Sequence, residues 1–497
     1  MRQGPLAGRY PAVAAMVLLA LIPYLALSAA LTPLTPIIGE QLNAGTQALA
    51  LSSGLSNAAY AVGTVLAVQL AQLLPQRRVM IVYVILLVLA SIVTASAQSI
   101  VMFDIGRIVQ GLCTSLLLIA AVPPLALGYP VNKLKTTAVI LSMCIFGAVA
   151  AGPAIGGLQA QADAWRPLFW VVAGIAVVAC ALAFLTFEDA PPANPNSPVD
   201  IPAIGLAAVG CVAAFFGSSM LATHAFLDPI AIIPLIGGLA TIVILIVYQA
   251  TAKNPLLTIR SMLTSSIPVA GIVLALLAAA ASVSATALTA EALAPEYTPL
   301  HLGLLYLPEL AGAFLTAVVL GQVITTRALQ WLPLVGMGFL AAGILLFRIN
   351  FPSSEGMILV ASLVTGIGLG ATVAPALFAS GFSLRATNLQ RVFAIVELLR
   401  AVAAFMIAPI FAHFAANASG GLNSGVGMAL WIGFGLAILG GVIPVLIYLG
   451  SGARPHTPDL EGFLAGEGPA YPSPPLLARL RSGVGSGRGR AVTEGGN

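Results

Sequence analysis

Charged side chains are scarce in this sequence, and their scarcity excludes most classes of soluble protein. Only 20 Lys or Arg and 16 Asp or Glu occur among 497 residues, which is 7% of the chain. Soluble domains carry roughly 25% charged residues, so the sequence does not encode an ordinary globular enzyme. The basic residues fall in short gaps between apolar runs, and the net charge of +4 therefore does not indicate nucleic-acid binding.

Cysteine and histidine are also rare, with four residues of each type. The cysteines are Cys113, Cys144, Cys180 and Cys211, and all lie inside apolar runs without the spacing of a metal site. The sequence contains no phosphate-binding loop, no His/Asp/Glu metal cluster and no nucleophile arrangement. We therefore expect no cofactor, no metal and no enzymatic activity.

Apolar residues are abundant, at 59% of the chain with a mean hydropathy of +1.04. Runs of about 20 such residues cross a bilayer as helices. These runs are continuous rather than alternating, which excludes a transmembrane β-barrel. The sequence predicts an all-α polytopic membrane protein with fourteen spans, at approximately 12–39, 47–74, 79–97, 100–125, 137–158, 168–187, 201–223, 229–250, 267–290, 301–325, 329–348, 357–380, 390–415 and 426–450.

The distribution of Lys and Arg predicts how these spans are oriented, because cytoplasmic loops keep an excess of basic residues. With the N-terminus inside, only Arg166 and Arg348 fall on the outer side. The twelve on the inner side, before the distal tail, are Arg2, Arg9, Arg77, Arg78, Lys133, Lys135, Lys253, Arg260, Arg327, Arg385, Arg391 and Arg454. We expect a multi-pass protein of the cell inner (cytoplasmic) membrane with both termini in the cytoplasm.

Two long gaps between spans divide the chain into a layout of six, two and six helices. The predicted domains are an N-terminal six-helix bundle over 1–187 and a C-terminal six-helix bundle over 267–450. Between them, 188–266 carries an inserted helix pair, spans 7 and 8, with flanking loops. The segment 451–497 is rich in Gly, Pro, Ser and Arg, and we expect it to be a disordered basic tail in the cytoplasm.

Span 5 contains "GAVAAGPAIGG", an unusual run for a membrane helix. It places four glycines and a proline within eleven residues: Gly147, Gly152, Pro153, Gly156 and Gly157. Glycine weakens a helix, and an internal proline removes a hydrogen bond and bends it. Gly152 and Gly156 share one helix face, where small residues let two helices approach closely. The stretch is either a close-packed kink with no further role or part of the transport machinery.

Span 4 contains "DIGRIVQGL", which places Arg107 about a third of the way in from the outer surface. An arginine at the centre of a span costs about 2.5 to 3.5 kcal/mol, so it needs a partner or a wet cavity. Asp104 precedes it by three residues and Gln110 follows by three. One interpretation is a self-neutralised Asp104–Arg107 pair. The other is a charged group that faces an aqueous path.

Several segments, in order, resemble motifs of the major facilitator superfamily. "RIVQGL" is similar to the Arg-x-x-Gln-Gly motif of its helix 4, and "GAVAAGPAIGG" to the helix 5 antiporter motif of its drug:proton antiporters. "AWRPLFW" resembles the Trp-Arg-x-x-Phe signature of the fourteen-span branch. "VDIPAIG" and "KNPLL" fall where that branch has similar segments. The chain is identified, over about residues 10–450, as a fourteen-span drug:proton antiporter of the multidrug-efflux type.

This resemblance implies a fold and a mechanism. The fold has two six-helix bundles, plus two extra helices, around a cavity that opens alternately to each side. Helix 5 would pack against the opposite bundle on the outer side, with its glycines forming the smooth face along which the bundles close. Arg107 and Gln110 would serve proton coupling or cavity polarity.

The sequence departs from the family pattern at two places. The acidic residue common partway along helix 1 is missing, and Leu27 stands near its position. In the loop between helices 2 and 3, Gln72 stands where the family has an aspartate and Pro75 replaces a glycine, while Arg77 and Arg78 are kept. Both departures put proton coupling through helix 1 and the usual latch of this loop in doubt.

Few acidic residues remain inside the spans for coupling to protons. Asp104 lies near the outer edge beside Arg107. Glu309 in span 10 has no basic neighbour at helical spacing, which makes it the best single candidate for a group that binds and releases a proton. Glu397 and Arg400 in span 13 form either a neutralised pair or part of the cavity.

We expect a secondary transporter that exports small amphipathic or drug-like molecules, with protons and the lipid bilayer as its other partners. It is expected to act as a monomer and to bind no nucleic acid. One alternative is a specific metabolite transporter of the same fold without proton coupling, which the missing helix 1 acid favours. The alternative from another class is a transporter-like membrane sensor.

Overall fold

A computed structural model describes residues 4–186, 194–349 and 351–476. Within these residues, fourteen helices are long and apolar enough to cross a membrane. They are α1 Tyr10–Gln41, α2 Thr46–Leu73, α3 Gln76–Ala95, α4 Ile100–Leu127, α5 Val131–Gln161, α6 Arg166–Thr186, α7 Ile201–Met220, α8 Pro229–Thr251, α9 Ser266–Leu293, α10 Pro299–Val323, α11 Leu332–Ile349, α12 Glu355–Phe382, α13 Leu389–Ala416 and α14 Gly421–Ser451. The predicted fourteen spans and all-α fold class are confirmed.

The helices form because lipid offers the backbone no hydrogen-bond partners, so each span must satisfy its own N–H and C=O groups. Three spans are locally irregular. α5 contains a π-helical segment at Met143–Gly147, and α9 contains one at Ser284–Leu288. α10 is interrupted between Leu305 and Pro308. The irregular helices α5 and α10 pack against each other at the junction between the two halves of the molecule.

The first six spans and the last six form two bundles. In the first bundle α2 packs on α4, α1 on α5 and α3 on α6. In the second, α11 packs on α12, α10 on α12 and α9 on α14. The bundles meet where α5 contacts α10 and where α2 contacts α13. We call the side where α1 begins and α14 ends the inner side, and the opposite side the outer side.

The inserted pair α7 and α8 forms a hairpin that packs on both bundles. Glycines allow the two helices to touch, since a Cβ added at Gly217 or Gly238 would collide with the backbone of the other helix. α7 packs mainly against α2, and its outer end reaches α13, where the Leu221 carbonyl lies 3.0 Å from His413 Nδ1. The hairpin is therefore attached to the first bundle over most of its length.

Asp200 fixes the inner end of this hairpin. Its carboxylate accepts hydrogen bonds from Gln249 Nε2 at 2.7 Å, from the Tyr248 hydroxyl at 3.1 Å and from the Ala203 N–H at 3.1 Å. Its own N–H donates to Gln69 Oε1 on α2 at 3.0 Å. One acidic side chain thus caps α7, joins it to α8 and ties both to the first bundle.

The segment that follows α14 differs from the expected disordered tail as far as the structure describes it. A short helix, α15 Leu460–Leu464, buries Phe463 against Phe382 at the inner end of α12. The same helix lies against the first half of α5 in the other bundle. Residues 477–497 lie outside the described residues.

Aromatic side chains explain why this Gly- and Pro-rich segment is ordered. Tyr471 is buried, and its hydroxyl donates to the Ala379 carbonyl at 2.5 Å. Burial raises the pKa of the Tyr471 hydroxyl well above its usual value, so it stays a neutral donor. The Ala470 N–H donates to the Phe382 carbonyl at 2.7 Å, and the Ser266 N–H donates to the Pro474 carbonyl at 3.0 Å. The tail therefore covers the inner ends of α9 and α12.

Candidate functional site

The glycine-rich stretch of α5 presents two faces to two different helices. Cβ atoms added at Gly152 and Gly156 would collide with α1 of the same bundle, the first with Ala29 Cβ at 2.5 Å. A Cβ at Gly157 would overlap the carbonyl oxygen of Pro299 on α10, in the opposite bundle. The predicted contact of helix 5 with the opposite bundle is present in the structure. Gly152 and Gly156 differ from the expectation, because they serve packing inside their own bundle.

α10 approaches α5 along its whole length. On the outer side, a Cβ added at Gly303 would lie 2.5 Å from the Pro153 carbonyl oxygen. In the middle, Gly147 also faces α10, and near the inner end Gly321 packs on Val139. The two bundles therefore touch at both ends of this helix pair.

Arg107 is 3% exposed and is held by groups of its own bundle. Its Nη1 donates a hydrogen bond to Gln110 Oε1 at 3.2 Å, and its guanidinium lies 4.9 Å from the centroid of the Tyr24 ring. Gln110 Nε2 in turn donates to Ser91 Oγ on α3 at 3.0 Å. A guanidinium over an aromatic face is stabilised by the negative charge of the ring face. This buried charge is thus positioned by α1, α3 and α4 together.

Asp104 forms no ion pair with Arg107 in the part of the chain that the structure describes. Its carboxyl group lies beside the Ser52 hydroxyl on α2, and its Oδ1 is buried without a hydrogen-bond partner. Helical spacing would allow the pair, but Arg107 turns toward Gln110 and Tyr24. The self-neutralised pair considered from the sequence is therefore not what the structure contains.

An aromatic column connects Arg107 with the opposite bundle. Tyr24 of α1 stacks on Tyr60 of α2 with centroids 6.3 Å apart, and Tyr60 meets Phe405 of α13 edge-on at 6.2 Å. Ser56 donates to the Arg107 carbonyl at 2.9 Å, so the Tyr24 hydroxyl donates to Ser56 at 2.8 Å. The column gives a continuous packed path between the buried charge of the first bundle and α13.

This arrangement includes three residues that the sequence pattern does not indicate, namely Ser56, Ser91 and Phe405. Helix periodicity does not show whether Ser56 and Ser91 form functional hydrogen bonds, because serine is common in membrane helices as a small packing residue. Their roles depend on which helices lie next to each other, and a single sequence does not state that.

Glu397 and Arg400 on α13 form a buried ion pair at the other end of the column. Arg400 Nε lies 2.6 Å from Glu397 Oε2, and Arg400 also lies beside the Tyr60 hydroxyl group. Glu397 is 1% exposed, and its second oxygen, Oε1, has no hydrogen-bond partner among the described residues. A buried ion pair with one unsatisfied carboxylate oxygen is costly and is weak evidence for a purely structural role.

Below this pair, in the inner half of the molecule, lies an apolar cavity between the two bundles. Its volume is about 20 Å³, enough for one water molecule and far too small for a drug-like molecule. The residues that line it are Leu118, Ile119, Val122, Leu141, Ile145, Ala374, Leu377, Phe378, Phe393 and Glu397. Glu397 supplies the one ionisable group among these side chains. Closer to the inner side, Gln390 Nε2 of α13 donates to the Ile119 carbonyl of α4 at 3.2 Å and so joins the two bundles.

Glu309 lies away from this cavity. It is 7% exposed and packs inside the second bundle, where Gly366 of α12 contacts its backbone. It forms no ion pair with a described residue, in agreement with the absence of a basic neighbour in the sequence. The structure therefore does not bring Glu309 together with Arg107, Glu397 or Arg400.

The loop between α2 and α3 contacts the linker that precedes α7. The Gln72 carbonyl accepts from the Asn194 N–H at 3.0 Å, and its side chain oxygen accepts from Ser197 Oγ at 3.3 Å. Pro75 precedes the first turn of α3, and Arg78 is exposed. The side chain of Arg77 lies outside the described residues. At the position where the family has an aspartate, this chain therefore has Gln72, which binds the linker before α7.

The Trp-Arg signature between α5 and α6 fastens the outer end of the first bundle. Trp165 Nε1 and Arg166 Nη1 both donate to Gln41 Oε1, at 3.0 and 2.8 Å, and Arg166 Nη2 donates to the Ala97 carbonyl at 2.9 Å. These bonds join the ends of α1, α3 and α6. The signature is therefore structural support for the bundle rather than part of the cavity.

Comparison with known proteins agrees with this architecture. Residues 16–248 match the family model described as Major Facilitator Superfamily. The match spans 233 of the 497 residues, and over this part the chain resembles the major facilitator superfamily. The chain is a transporter rather than an enzyme, and its fourteen spans fit the fourteen-span drug:proton antiporter type of that superfamily.

Relatives within the superfamily include two proteins of Mycobacterium tuberculosis. The multidrug resistance protein B homolog is 26% identical over 60% of this chain and 56% of its own length. The drug efflux pump JefA is 23% identical over 67% of this chain and 68% of its own length. Among solved structures, the proton:xylose symporter XylE has a TM-score of 0.60 at 12% identity, covering 87% of this chain and 94% of that one. This last likeness shows the major facilitator fold alone.

Proposed function

We propose that this major facilitator transporter exports small amphipathic or drug-like molecules in exchange for protons. Two things support export of such molecules: the apolar lining between the bundles, and relatives named for multidrug resistance and drug efflux. In the structure the two bundles touch at the outer and at the inner end of the α5–α10 pair. Rocking of the bundles about the α5–α10 and α2–α13 contacts would open the cavity between them to one side at a time.

The observation that carries the proton part of the proposal is the position of Glu397. Its carboxylate lines the apolar cavity, pairs with Arg400 and leaves one oxygen without a partner. Protonation would remove the charge that holds Arg400 and would leave the Arg400 guanidinium without its ion-pair partner. A substrate with a positive or polar group could then compete with the proton for the same carboxylate. Exchange follows if proton and substrate bind Glu397 in turn.

Arg107, Gln110 and Asp104 belong to the outer half of the same path in this proposal. Their buried polar groups lie at the first-bundle end of the aromatic column, on the opposite side of Tyr24 and Tyr60 from Glu397. They would set the polarity of the cavity when it opens outward. Glu309 keeps its place as a second candidate for proton binding, although it packs away from the cavity.

The test is transport into proteoliposomes across a compound panel, with and without a proton ionophore. Wild type is expected to accumulate a substrate only with a pH gradient and to move protons when the substrate is added. Glu397→Gln replaces the carboxylate with an uncharged amide of the same shape. It is expected to lower substrate-driven proton flux by about 10²-fold or more, the usual effect of losing an essential proton carrier.

Glu40→Gln is the matched control, because Glu40 is exposed at the outer end of α1 and lies far from the cavity. It is expected to transport like wild type. Glu309→Gln is the second arm. If Glu309→Gln loses proton flux while Glu397→Gln keeps it, the coupling role moves to Glu309. If neither loses it and ionophores have no effect, proton exchange is wrong for this protein.

A metabolite transporter without proton coupling is the second candidate function, and one observation favours it. Leu27 occupies the region of α1 where the family has an acidic residue, and it is buried in an apolar cluster with Leu34 and Phe103. The first bundle therefore lacks the usual carboxyl group on α1. Uptake of one compound class, insensitive to ionophores, would support this candidate over drug:proton exchange.

We also propose that the inner side of the molecule faces the cytoplasm and that one chain is the working unit. The twelve-to-two excess of basic residues supports the orientation. Both bundles and the cavity between them come from one chain, which supports a monomer. Reporter fusions after Arg454 test the first proposal, since only a cytoplasmic fusion of green fluorescent protein fluoresces. Light scattering of the purified protein tests the second.

A further inference from the structure

A pocket of about 160 Å³ lies at the inner edge of the second bundle, away from the cavity between the bundles. It is formed where the turn before α11 meets the end of α14 and the start of the tail. Its lining residues are Gln330, Trp331, Val445, Tyr448, Leu449, Gly452, Ala453, Arg454 and Pro455. No part of the proposed transport path uses it.

Two polar side chains of this pocket, Gln330 and Arg454, have groups without a partner among the described residues. Gln330 is 5% exposed, and its Nε2 is buried without a hydrogen-bond partner in the described residues. A buried amide donor left unsatisfied costs about 1 to 3 kcal/mol, so the pocket favours a ligand that accepts a hydrogen bond. Arg454 at the rim is exposed and forms no ion pair with any residue that the structure describes. A buried hydrogen-bond donor and a cation without an ion-pair partner among the described residues together favour an anionic ligand that accepts hydrogen bonds.

The apolar groups of the pocket show where that anion comes from. Trp331, in the turn before α11, is 50% exposed, and Leu449, at the end of α14, is 60% exposed. Tryptophan with one apolar side and one polar edge is typical of the depth of lipid headgroups. Basic pockets beside transmembrane helices on the cytoplasmic side bind the headgroups of anionic lipids. A free anion would gain nothing from the exposed Trp331 and Leu449.

We propose that this pocket binds the phosphate headgroup of an anionic phospholipid from the inner leaflet. Arg454 pairs with the phosphate, Gln330 Nε2 donates to one of its oxygens, and Trp331 and Leu449 contact the first carbons of the acyl chains. The bound lipid holds the end of α14 and the start of the tail against the turn before α11. The lipid is therefore a structural ligand of the second bundle.

The test uses the purified full chain in detergent and measures thermal unfolding with a thiol-reactive dye. The four cysteines suit this assay, because none of them is exposed in the folded protein. Phosphatidylglycerol is titrated against phosphatidylcholine and against inorganic phosphate at equal ionic strength. Phosphatidylglycerol is expected to raise the unfolding temperature in a saturable way, and the other two are expected to leave it unchanged.

Two variants and one control locate the effect. Arg454→Gln is expected to weaken the apparent affinity for phosphatidylglycerol about fivefold, the contribution of one cation near a lipid surface. Gln330→Leu removes the unsatisfied donor. It is expected to leave the lipid-free protein as stable as wild type while it too weakens phosphatidylglycerol binding. Arg260→Gln is the matched control, because Arg260 is exposed on the inner side outside the pocket.

Three outcomes would overturn the proposal. Equal stabilisation by phosphatidylcholine would mean that any bilayer lipid suffices. An equal shift with inorganic phosphate would assign the pocket to a free anion. Unchanged phosphatidylglycerol affinity in both Arg454→Gln and Gln330→Leu would place the lipid elsewhere. Native mass spectrometry, which counts retained lipids per chain, checks the same variants without reference to stability.

Discussion

Arg107 is held by two contacts that lysine cannot reproduce together. The planar guanidinium lies over the Tyr24 ring and at the same time donates to Gln110. An ammonium group on a flexible stem is a compact, strongly hydrated charge, and it lacks the flat face that stacks on an aromatic ring. The charge alone therefore does not define this position.

Arg107→Lys is expected to destabilise the protein although it keeps the charge. The loss of stacking and of the hydrogen bond should lower the free energy of unfolding by about 1–2 kcal/mol. Thermal unfolding in detergent measures the change. Arg78→Lys, at an exposed position of the loop before α3, is the control and should unfold like wild type. An Arg107→Lys protein as stable as wild type would show that only the charge matters here.

Individual residues differ in how far the sequence predicts their contacts. Helical spacing correctly placed Arg107, Asp104 and Gln110 on one helix, and it placed Glu397 and Arg400 three residues apart. The Glu397–Arg400 pair exists because both partners are on the same helix. The Arg107 site could not be completed from the sequence, because Tyr24 comes from another helix and draws the guanidinium away from Asp104.

At the scale of elements, α5 packs closely against two helices, α1 of its own bundle and α10 of the opposite bundle. The face with Gly152 and Gly156 was predictable in kind, since small residues four apart indicate close packing. Which helix they meet was not, because α1 and α10 approach α5 from different directions. The Gly157 contact with α10 is the one that joins the two bundles on the outer side.

Gly157→Ala is expected to disturb the outer contact between the bundles. The added methyl would overlap the Pro299 carbonyl oxygen, and overpacking of this kind destabilises by about 1–3 kcal/mol. The unfolding temperature in detergent should fall, and transport should slow because the outer side closes less well. Gly174→Ala, where an added Cβ meets nothing within 4 Å, is the matched control on α6. Equal stability of the two variants would contradict the close contact.

The tail is the element that the sequence described least well. Its Gly and Pro content indicated disorder, yet Phe463 and Tyr471 supply enough buried aromatic surface to hold it against α12. Two aromatic residues in a polar segment are a weak signal, and their docking site exists only once the bundles are assembled. Because α15 lies against both α5 and α12, opening of the inner side must displace it.

Removal of residues 456–497 is therefore expected to make the inner side of the cavity easier to open. In a background without the four native cysteines, a cysteine at Val122 on the cavity wall should react faster with a maleimide once the tail is gone. A cysteine at Asn417, exposed at the outer end of α13, reports on general loosening and should react at an unchanged rate. If Val122→Cys reacts equally fast with and without the tail, the tail does not restrain the inner side.

At the scale of the whole molecule, the number of spans and the all-helical fold followed directly from hydropathy. Lipid leaves a span few alternatives to a helix, so length and composition decide most of the fold. Packing between spans depends instead on shape, which is why the hairpin of α7 and α8 could be counted but not placed. In the structure it lies mostly on α2 and touches α13 only near its outer end.

This placement predicts that the hairpin moves with the first bundle during transport. Spin labels at Thr46 and Thr223 should keep one distance when substrate or pH changes the state of the transporter. Labels at Thr223 and Asn417 should change their distance, since α13 belongs to the other bundle. Continuous-wave electron paramagnetic resonance, which detects dipolar broadening between closely spaced labels, measures both pairs. A constant Thr223–Asn417 distance together with a variable Thr46–Thr223 distance would assign the hairpin to the second bundle.

The π-helical segment at Met143–Gly147 lies midway along α5, between its outer contact with α10 at Gly157 and its inner contact at Val139. A π-helical turn contains about one residue more than an α-helical turn. A small shift can therefore change which backbone groups of this segment pair in hydrogen bonds. The two ends of α5 are therefore coupled through its least regular turn. If α5 were rigid along its whole length, its outer and inner contacts with α10 would have to open together. The π-helical segment lets one of these contacts open while the other stays closed.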